Sequence, residues 1–182
     1  MSLLLTGHTS ERLRFRTVRQ SDFPIWLPFF TDPETSRHWQ MPIQSPDEQC
    51  AQWYRSQFHR YDNGLGGMNA LLEKTTGHMV GHCGLLVQRV DGQDELEIGY
   101  SLLPQYWGHG YATEAARCCR DYAFSQQLSG HLIAIISTTN LASERVARAI
   151  GMQPVRQTIY HDNQVNIFRI DRDTWCSIQS CT

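Results

Sequence analysis

The chain has 182 residues, a formal net charge of −2 at pH 7 and a pI near 6.4. This length allows one core that buries about 70% of the unfolded surface and is too short for two, so we expect a single domain over residues 1–182. The nearly balanced charge provides no broad cationic field, which argues against DNA or RNA as a partner.

The lack of a recognisable targeting signal and the cysteine spacing both indicate a reducing compartment. No apolar stretch approaches the roughly 18 residues of a membrane span, and no basic segment precedes an apolar run near the N-terminus. We therefore expect a cytoplasmic protein without a membrane partner. The cysteines stand at positions 50, 83, 118, 119, 176 and 181 without a Cys-x-x-Cys pair, so we interpret them as reduced, small apolar residues.

The first third of the chain predicts one strand and two helices. Residues 12–18 form a strand with Leu13 and Phe15 on one face. Ser21 or Asp22 can cap a helix with Pro24 in its first turn, and Pro28 should kink or end that helix early. The region of residues 29–42 reads as irregular. Ser45-Pro46-Asp47-Glu48 is a capping box that starts a helix through about residue 61.

The remaining chain alternates between strand and helix patterns. We predict strands at about residues 69–73, 78–87, 95–102, 131–137, 153–160 and 165–170, with turns at 75–77, 91–92 and 162–163, and helices at about 111–127 and 142–150. Gly151 should end the second of these helices. The order gives an α/β (α+β) fold, with a mixed, largely antiparallel sheet of six to seven strands flanked by helices.

The turn between the strand at residues 95–102 and the helix at residues 111–127 is the strongest candidate for a binding site. Pro104 ends the strand, and Gly108 and Gly110 can direct backbone amides toward one point before a helix N-terminus. Such a point attracts a phosphate, with the helix dipole contributing about 0.3 to 1 kcal/mol. An isolated Gly-x-Gly is more often a turn without a ligand.

Two other phosphate-binding motifs do not fit this spacing. A P-loop requires a glycine run followed by Lys-Ser or Lys-Thr, whereas Lys74-Thr75 follows Leu71, Leu72 and Glu73. A dinucleotide fingerprint requires a small residue three positions after Gly110, where Thr113 stands. A different anion-binding turn is needed.

The pattern Gln105-x-x-Gly108-x-Gly110, between Glu-Ile-Gly-Tyr and Tyr-Ala-Thr-Glu-Ala, resembles the acetyl-CoA-binding motif of the GNAT superfamily of N-acetyltransferases. The resemblance is to the branch that contains the ribosomal-protein N-terminal acetyltransferases, and it covers nearly the whole chain. It also includes the stretches that begin at Glu11, Gly81, Asn140, Gly151 and Asp171.

The resemblance implies a GNAT-type fold, acetyl-CoA as the acetyl donor and a set of binding residues. The pyrophosphate would be held by Gln105, Tyr106, Trp107, Gly108, His109, Gly110, Tyr111 and Ala112, and the pantetheine arm by the backbone of Ser101, Leu102 and Leu103. A free amide at this strand end could polarise the thioester oxygen. Asn140 would also bind the cofactor. His109 replaces the lysine or arginine common in the family, which predicts pH-dependent affinity.

Three residues are candidates for proton transfer. The resemblance implies that Ser143 lies near the cofactor sulfur as the acid, with Tyr160 as the alternative. Glu97 is the candidate base, because Gly99 two residues along would leave room for a substrate. Each has a structural interpretation as well: Ser143 as a local hydrogen bonder, Asn140 as a helix cap, and Glu97 as a solvated strand residue.

A metal site is the weaker interpretation of the histidines. His78 and His82 would share a strand face, but Cys83 points the other way, so we expect no metal. Trp26, Trp39 and Trp53 belong to the region that walls the acceptor site in the family, although such residues are more often core.

The sequence therefore predicts an acetyl-CoA-dependent N-acetyltransferase that acts by direct attack of an amine. A peptide or protein N-terminal α-amine is the expected acceptor, because its pKa of about 7.7 to 8.0 leaves more of it neutral at pH 7 than of a lysine near 10.4. A small amine or aminoglycoside-like acceptor is the alternative, and a non-catalytic acyl-CoA-binding module is the other class. The sequence leaves open whether the chain forms a homodimer.

Overall fold

The computed structural model describes residues 2–40 and 43–180, and Pro42 and Cys181, which figure in the predictions above, lie outside these ranges. In the described part, no helix is both long and apolar enough to cross a membrane.

In residues 2–40 and 43–180, seven strands form one open sheet in the order β1-β2-β3-β4-β5-β7-β6. They are β1 (Leu13–Thr17), β2 (Gly66–Glu73), β3 (Met79–Val90), β4 (Gln93–Leu102), β5 (His131–Ser137), β6 (Gln153–Tyr160) and β7 (Asn163–Asp171). Every neighbouring pair is antiparallel except β4 and β5, which are parallel. The predicted fold class, a mixed and largely antiparallel sheet flanked by helices, is confirmed.

Across the described ranges, six α-helices flank the sheet: α1 (Phe23–Thr31), α2 (Pro33–Ser36), α3 (Pro46–Asp62), α4 (Tyr111–Ser125), α5 (Leu141–Ala149) and α6 (Arg172–Gln179). The capping box predicted for α3 is present, since Ser45 accepts from the amide of Glu48 and Glu48 accepts from that of Ser45. α4 is the crossover that parallel strands require, and it connects β4 to β5.

The sheet buries a different core on each face. Small side chains of α4, including Ala115, Ala116 and Cys119, pack against Leu96 and Ile98 of β4. On the other face, α1 and α3 cover the first three strands with an aromatic core. Burying these apolar surfaces on both faces fixes the positions of β4 and its two neighbours, and the candidate site lies where β4 ends.

The structure corrects three predicted elements. α1 runs past Pro28 to Thr31, since one missing amide in a nine-residue helix is offset by burial of Trp26. The region predicted as irregular contains α2. The chain after Asp171, for which no helix was predicted, forms α6, and its Trp175 donates to the Asp121 carboxylate over 2.7 Å.

Candidate active site

β4 and β5 pair at a single position and then separate. Glu97 is aligned with Ile133, and no later residue of β4 has a partner on β5. Tyr100 lies at this separation, and its hydroxyl donates to the carbonyl of Ser143 on α5 over 2.8 Å. Burial raises the pKa of the Tyr100 phenol, so the hydroxyl stays protonated. The sheet therefore contains a gap between two central strands, with polar backbone groups along its edges.

The turn before α4 has the geometry of an anion site. Gly108 and Gly110 have φ of 77° and 80°, in the left-handed region that favours glycine. Apart from Gly108 itself and its two chain neighbours, no heavy atom in the described part of the chain lies within 4 Å of the position that a Cβ on Gly108 would occupy. Gly110 is the N-cap of α4 and has no side chain to accept from the first amides of the helix. These amides and the open space beside them fit a phosphate group.

Arg12 of the N-terminal segment anchors this turn, a role that the sequence did not reveal. Its guanidinium donates to the Glu114 carboxylate over 2.7 Å and to the His109 carbonyl over 2.9 Å. It also lies 4.5 Å from the centre of the Tyr111 ring. Glu114 accepts from Ser10 as well, over 2.6 Å. The segment just before β1 thus holds the His109 carbonyl, between the two glycines.

We expect Arg12→Met to weaken coenzyme A binding about threefold to tenfold, because the turn loses a hydrogen bond that keeps its amides oriented. Isothermal titration calorimetry measures this affinity. Arg14→Met is the matched control, since Arg14 is an exposed arginine two residues further along β1. Equal affinities for the two variants would contradict an anchoring role for Arg12.

The end of β4 differs from the prediction in one respect. The Leu103 amide donates to the Val80 carbonyl over 3.0 Å, so it is not free to polarise a thioester. Because amides alternate in direction along an antiparallel ladder, the Leu102 amide points away from β3 toward the gap. The Leu102 carbonyl accepts from Trp107 over 2.8 Å. The Leu102 amide, next to the half-buried Ser101, is therefore the backbone group that remains available to an added extended chain.

The remaining predicted turn residues are near one another but differ in exposure. Gln105 and His109 are exposed, Tyr106 and Ala112 are half-buried, and Tyr111 is buried with its hydroxyl bonded to the Glu73 carboxylate. The backbone and the exposed side chains of this turn are thus accessible to a ligand, whereas Tyr111 fastens the turn to β2.

Asn140 and Ser143 lie at the start of α5, on the α4 side of the gap. The Asn140 side chain caps the helix by accepting from the Ser143 amide over 3.0 Å, as the structural interpretation of Asn140 predicts. This bond uses only the carbonyl oxygen of the Asn140 side chain, so its amide group can still donate to a ligand. Within the described ranges, the hydroxyl of the half-buried Ser143 makes no hydrogen bond, which leaves its proton available.

Glu97 lies on the face of β4 opposite Asn140 and Ser143, at the point where β4 and β5 separate. Burial raises the pKa of this half-buried carboxyl group, and hydrogen bonds from Gln88 and from the Ile135 backbone act in the other direction. The Gln88 side-chain nitrogen lies 2.7 Å from the carboxylate. A carboxylate with a raised pKa is a better proton acceptor near neutral pH than an exposed one.

The prediction that Gly99 leaves room for a substrate is wrong, because the space beside it is filled. A Cβ at this position would lie 2.9 Å from both Leu86 and Met68, whose side chains fill the space. The glycine is required for packing between β4 and the neighbouring strands. A substrate must therefore reach Glu97 from another direction, on the side where residues of α3 and β6 lie near its carboxylate.

Tyr160 is on the Glu97 side of the sheet, where its hydroxyl donates to the side-chain oxygen of Gln88 over 3.1 Å. Burial raises the pKa of Tyr160 to about 12. The Tyr160 hydroxyl proton is already donated to Gln88 and lies on the sheet face opposite α5. It is therefore poorly placed for transfer to a group near Ser143. The structure thus favours Ser143 over Tyr160 as the acid.

The histidines form no metal site. His82 is fully buried between the rings of Trp26 and Trp53, and burial lowers its pKa to about 3. Cys83 faces the other core, where it contacts Cys119. Across residues 2–40 and 43–180 there is no group of three metal-ligating side chains. Trp26 is a core residue, and Trp39 packs against a small core formed by β5 and β7.

Comparison with known proteins agrees with this architecture. The profile of the acetyltransferase (GNAT) domain family matches residues 12–153. The chain belongs to the GNAT acetyltransferase family. It is 34% identical over 150 residues to the uncharacterised protein YkkB of Bacillus subtilis (strain 168), an alignment that covers 81% of this chain and 85% of YkkB.

Two proteins whose solved structures share this fold are named for different acceptors. The ribosomal-protein-S5-alanine acetyltransferase of Vibrio fischeri matches with a TM-score of 0.68 and 17% identity, over 92% of this chain and 97% of that protein. The spermidine N-acetyltransferase of Vibrio cholerae, in complex with CoA and spermine, matches with a TM-score of 0.70 and 13% identity, over 91% and 98%. At these identities the likeness establishes the fold.

The family and the site together identify an acetyl-CoA-dependent acetyltransferase. The residues present fit the family's cofactor: the α4 N-terminus is uncapped by side chains, the glycine turn is open, and two strands separate beside it. When bound, acetyl-CoA supplies an activated acyl group. The turn before α4 has amides that could hold its phosphates, and Glu97 and Ser143 lie on opposite sides of the gap.

Proposed function

We propose that the protein acetylates the α-amine of a peptide or protein N-terminus by direct attack of the amine. The observation that carries this proposal is the position of Glu97, a half-buried carboxylate at the gap and on the sheet face opposite Ser143. Donor and acceptor would approach the gap from opposite faces, with the amine on the Glu97 side.

Each side chain then has one task. The amides of Gly108 to Ala112 hold the pyrophosphate, while Leu102 and Asn140 bind the pantetheine arm. Glu97 takes a proton from the protonated amine, directly or through water, so that the neutral nitrogen can attack the thioester carbon. The proton that the nitrogen loses as the amide bond forms passes to water. Ser143 supplies a proton to the sulfur as the thioester carbon–sulfur bond breaks. The proton count balances, and Glu97 and Ser143 exchange protons with water after turnover.

The strength of the base favours an α-amine. At pH 7 about 10 to 15% of an α-amine is neutral, whereas a lysine is neutral in about one molecule in 2,500. The difference corresponds to about 3.5 kcal/mol that a base would have to supply for a lysine. A single carboxylate suffices for the α-amine, and the structural similarity to a ribosomal-protein-alanine acetyltransferase agrees with this choice.

A small polyamine is the second candidate acceptor. The spermidine N-acetyltransferase shares this fold, and two carboxylates, Glu95 and Glu97, lie on the acceptor face of β4. Glu95 is already paired with His131, at 2.5 Å between carboxylate and ring nitrogen, which leaves less negative charge for a polycation. The α-amine remains the preferred acceptor.

A coenzyme A release assay tests the proposal. The protein and acetyl-CoA would be mixed with peptides bearing free α-amines, with the same peptides N-terminally blocked, and with spermidine and an aminoglycoside. We expect release only with the free peptides. Release with spermidine or the aminoglycoside alone would contradict the proposed acceptor, and no release with any amine would contradict the proposed reaction.

A further inference from the structure

Gln88 connects the candidate base to three other elements of the fold. It lies on β3 directly opposite Glu95, and its side chain reaches diagonally along the same face to Glu97. Its side-chain oxygen also accepts from Arg60 of α3 over 2.7 Å and from Tyr160 of β6 over 3.1 Å. One half-buried amide thus joins α3, β3, β4 and β6.

These contacts determine the orientation of the amide. Arg60 and Tyr160 both donate, so the Gln88 atom between them must be the oxygen. The nitrogen is therefore directed at the Glu97 carboxylate, 2.7 Å away, which can only accept when ionised. Arg60 is held in turn, because its other terminal nitrogen donates to the Val87 carbonyl over 2.9 Å.

We propose that Gln88 is a positioning residue for the transfer reaction, which holds the Glu97 carboxylate ionised and in one orientation through an amide fixed by Arg60 and Tyr160. The inference rests on the proposed function, in which Glu97 is the base. It assigns Arg60 and Tyr160 to the support of that base, and it gives Tyr160 a different role from the acid that the sequence suggested.

Other charged and titratable groups surround Glu97. Arg60 faces it from α3 and Tyr160 from β6, and the pair of Glu95 and His131 lies beside it on β4 and β5. Tyr100 lies on the other face of β4. Because burial is the largest influence on Glu97 and favours its neutral form, each donor to the carboxylate matters for keeping the base ionised.

The test is a direct titration of Glu97 by NMR in protein labelled with ¹³C at glutamate carboxyl groups, with the signal assigned by its loss in Glu97→Gln. We expect Gln88→Leu to raise the pKa of Glu97 by about one unit, as loss of one hydrogen bond to a charged group should. Tyr160→Phe should shift it less, in the same direction. Gln52→Leu is the matched control, because Gln52 binds Arg55 on the exposed side of α3.

An unchanged pKa of Glu97 in folded Gln88→Leu would overturn the proposal. If that variant does not fold, Tyr160→Phe decides on the same titration, and an unchanged pKa again overturns it. This titration needs no acceptor, so its result is separate from any failure of the proposed function.

Kinetics provide the second readout, with an acetyl-CoA and free-peptide assay. Gln88→Leu should move the acidic limb of the kcat/KM profile upward by about one pH unit. In a Glu97→Gln background the same substitution should cause no further change. A lower rate with an unmoved limb, or an equal loss in both backgrounds, would show that Gln88 does not act through Glu97.

Discussion

Calorimetry should detect no coenzyme A binding to Gly108→Val, a loss of at least about 100-fold in affinity. A β-branched residue is strained at a φ of 77°, so the turn must adopt another conformation that redirects its amides. Binding at a helix N-terminus depends on those amides converging on one anion. The fold should persist, because among the described residues only the chain neighbours of Gly108 come within 4 Å of the new Cβ.

Gly92→Val is the matched control for backbone strain. Gly92 has a φ of 78° and equally open surroundings, but it lies in the hairpin turn between β3 and β4. Both variants should lose about 1 to 3 kcal/mol of unfolding free energy, measured by denaturant titration. Only Gly108→Val should lose binding. Normal affinity in folded Gly108→Val would remove this turn from the site.

The second large effect is expected for Glu97→Gln, which should slow acetylation of a peptide α-amine about tenfold at pH 7. Without the base only the neutral tenth of the amine reacts, so the deficit should grow at pH 6 and nearly vanish at pH 9. In the wild type, burial raises the pKa of Glu97 above the usual value near 4.3, so the base is lost by protonation at a higher pH than an exposed glutamate would be. Steady-state pH–rate profiles measure both effects.

Glu95→Gln is the control for a carboxylate on the same face of β4, two residues before Glu97. It removes the pairing with His131 but does not alter the hydrogen bond from Gln88. Its profile should keep the wild-type shape. If Glu97→Gln also keeps the shape and height of the profile, Glu97 is structural and the base lies elsewhere.

Local patterns predicted the central part of the site. The change from a two-residue to a three- and four-residue apolar period, with Gly108 and Gly110 between, identified β4, the turn and α4 within a few residues. α6 was missed because none of its residues is fully buried and its N-cap, Asp171, makes no side-chain capping bond. Few sequence signals mark such a helix.

Contacts between distant segments could not be predicted from these patterns. Arg12 contacts the turn before α4, 97 residues further along the chain, and the acceptors that bind it are unrelated to local propensity. The contact of Tyr160 with Gln88 joins residues of β6 and β3 that are 72 positions apart in the chain. The position of Gln88 could be predicted in part from the sequence, because counting back from the turn at Gly92 places it beside the two glutamates of β4.

The most direct test of the central claim is to locate the transferred acetyl group on a peptide that offers both a free α-amine and a lysine. After incubation with acetyl-CoA at pH 7, fragmentation mass spectrometry identifies the modified nitrogen. The account predicts acetylation of the α-amine, and much less of it with Glu97→Gln. Acetylation of the lysine alone, or none while coenzyme A still binds, would contradict it.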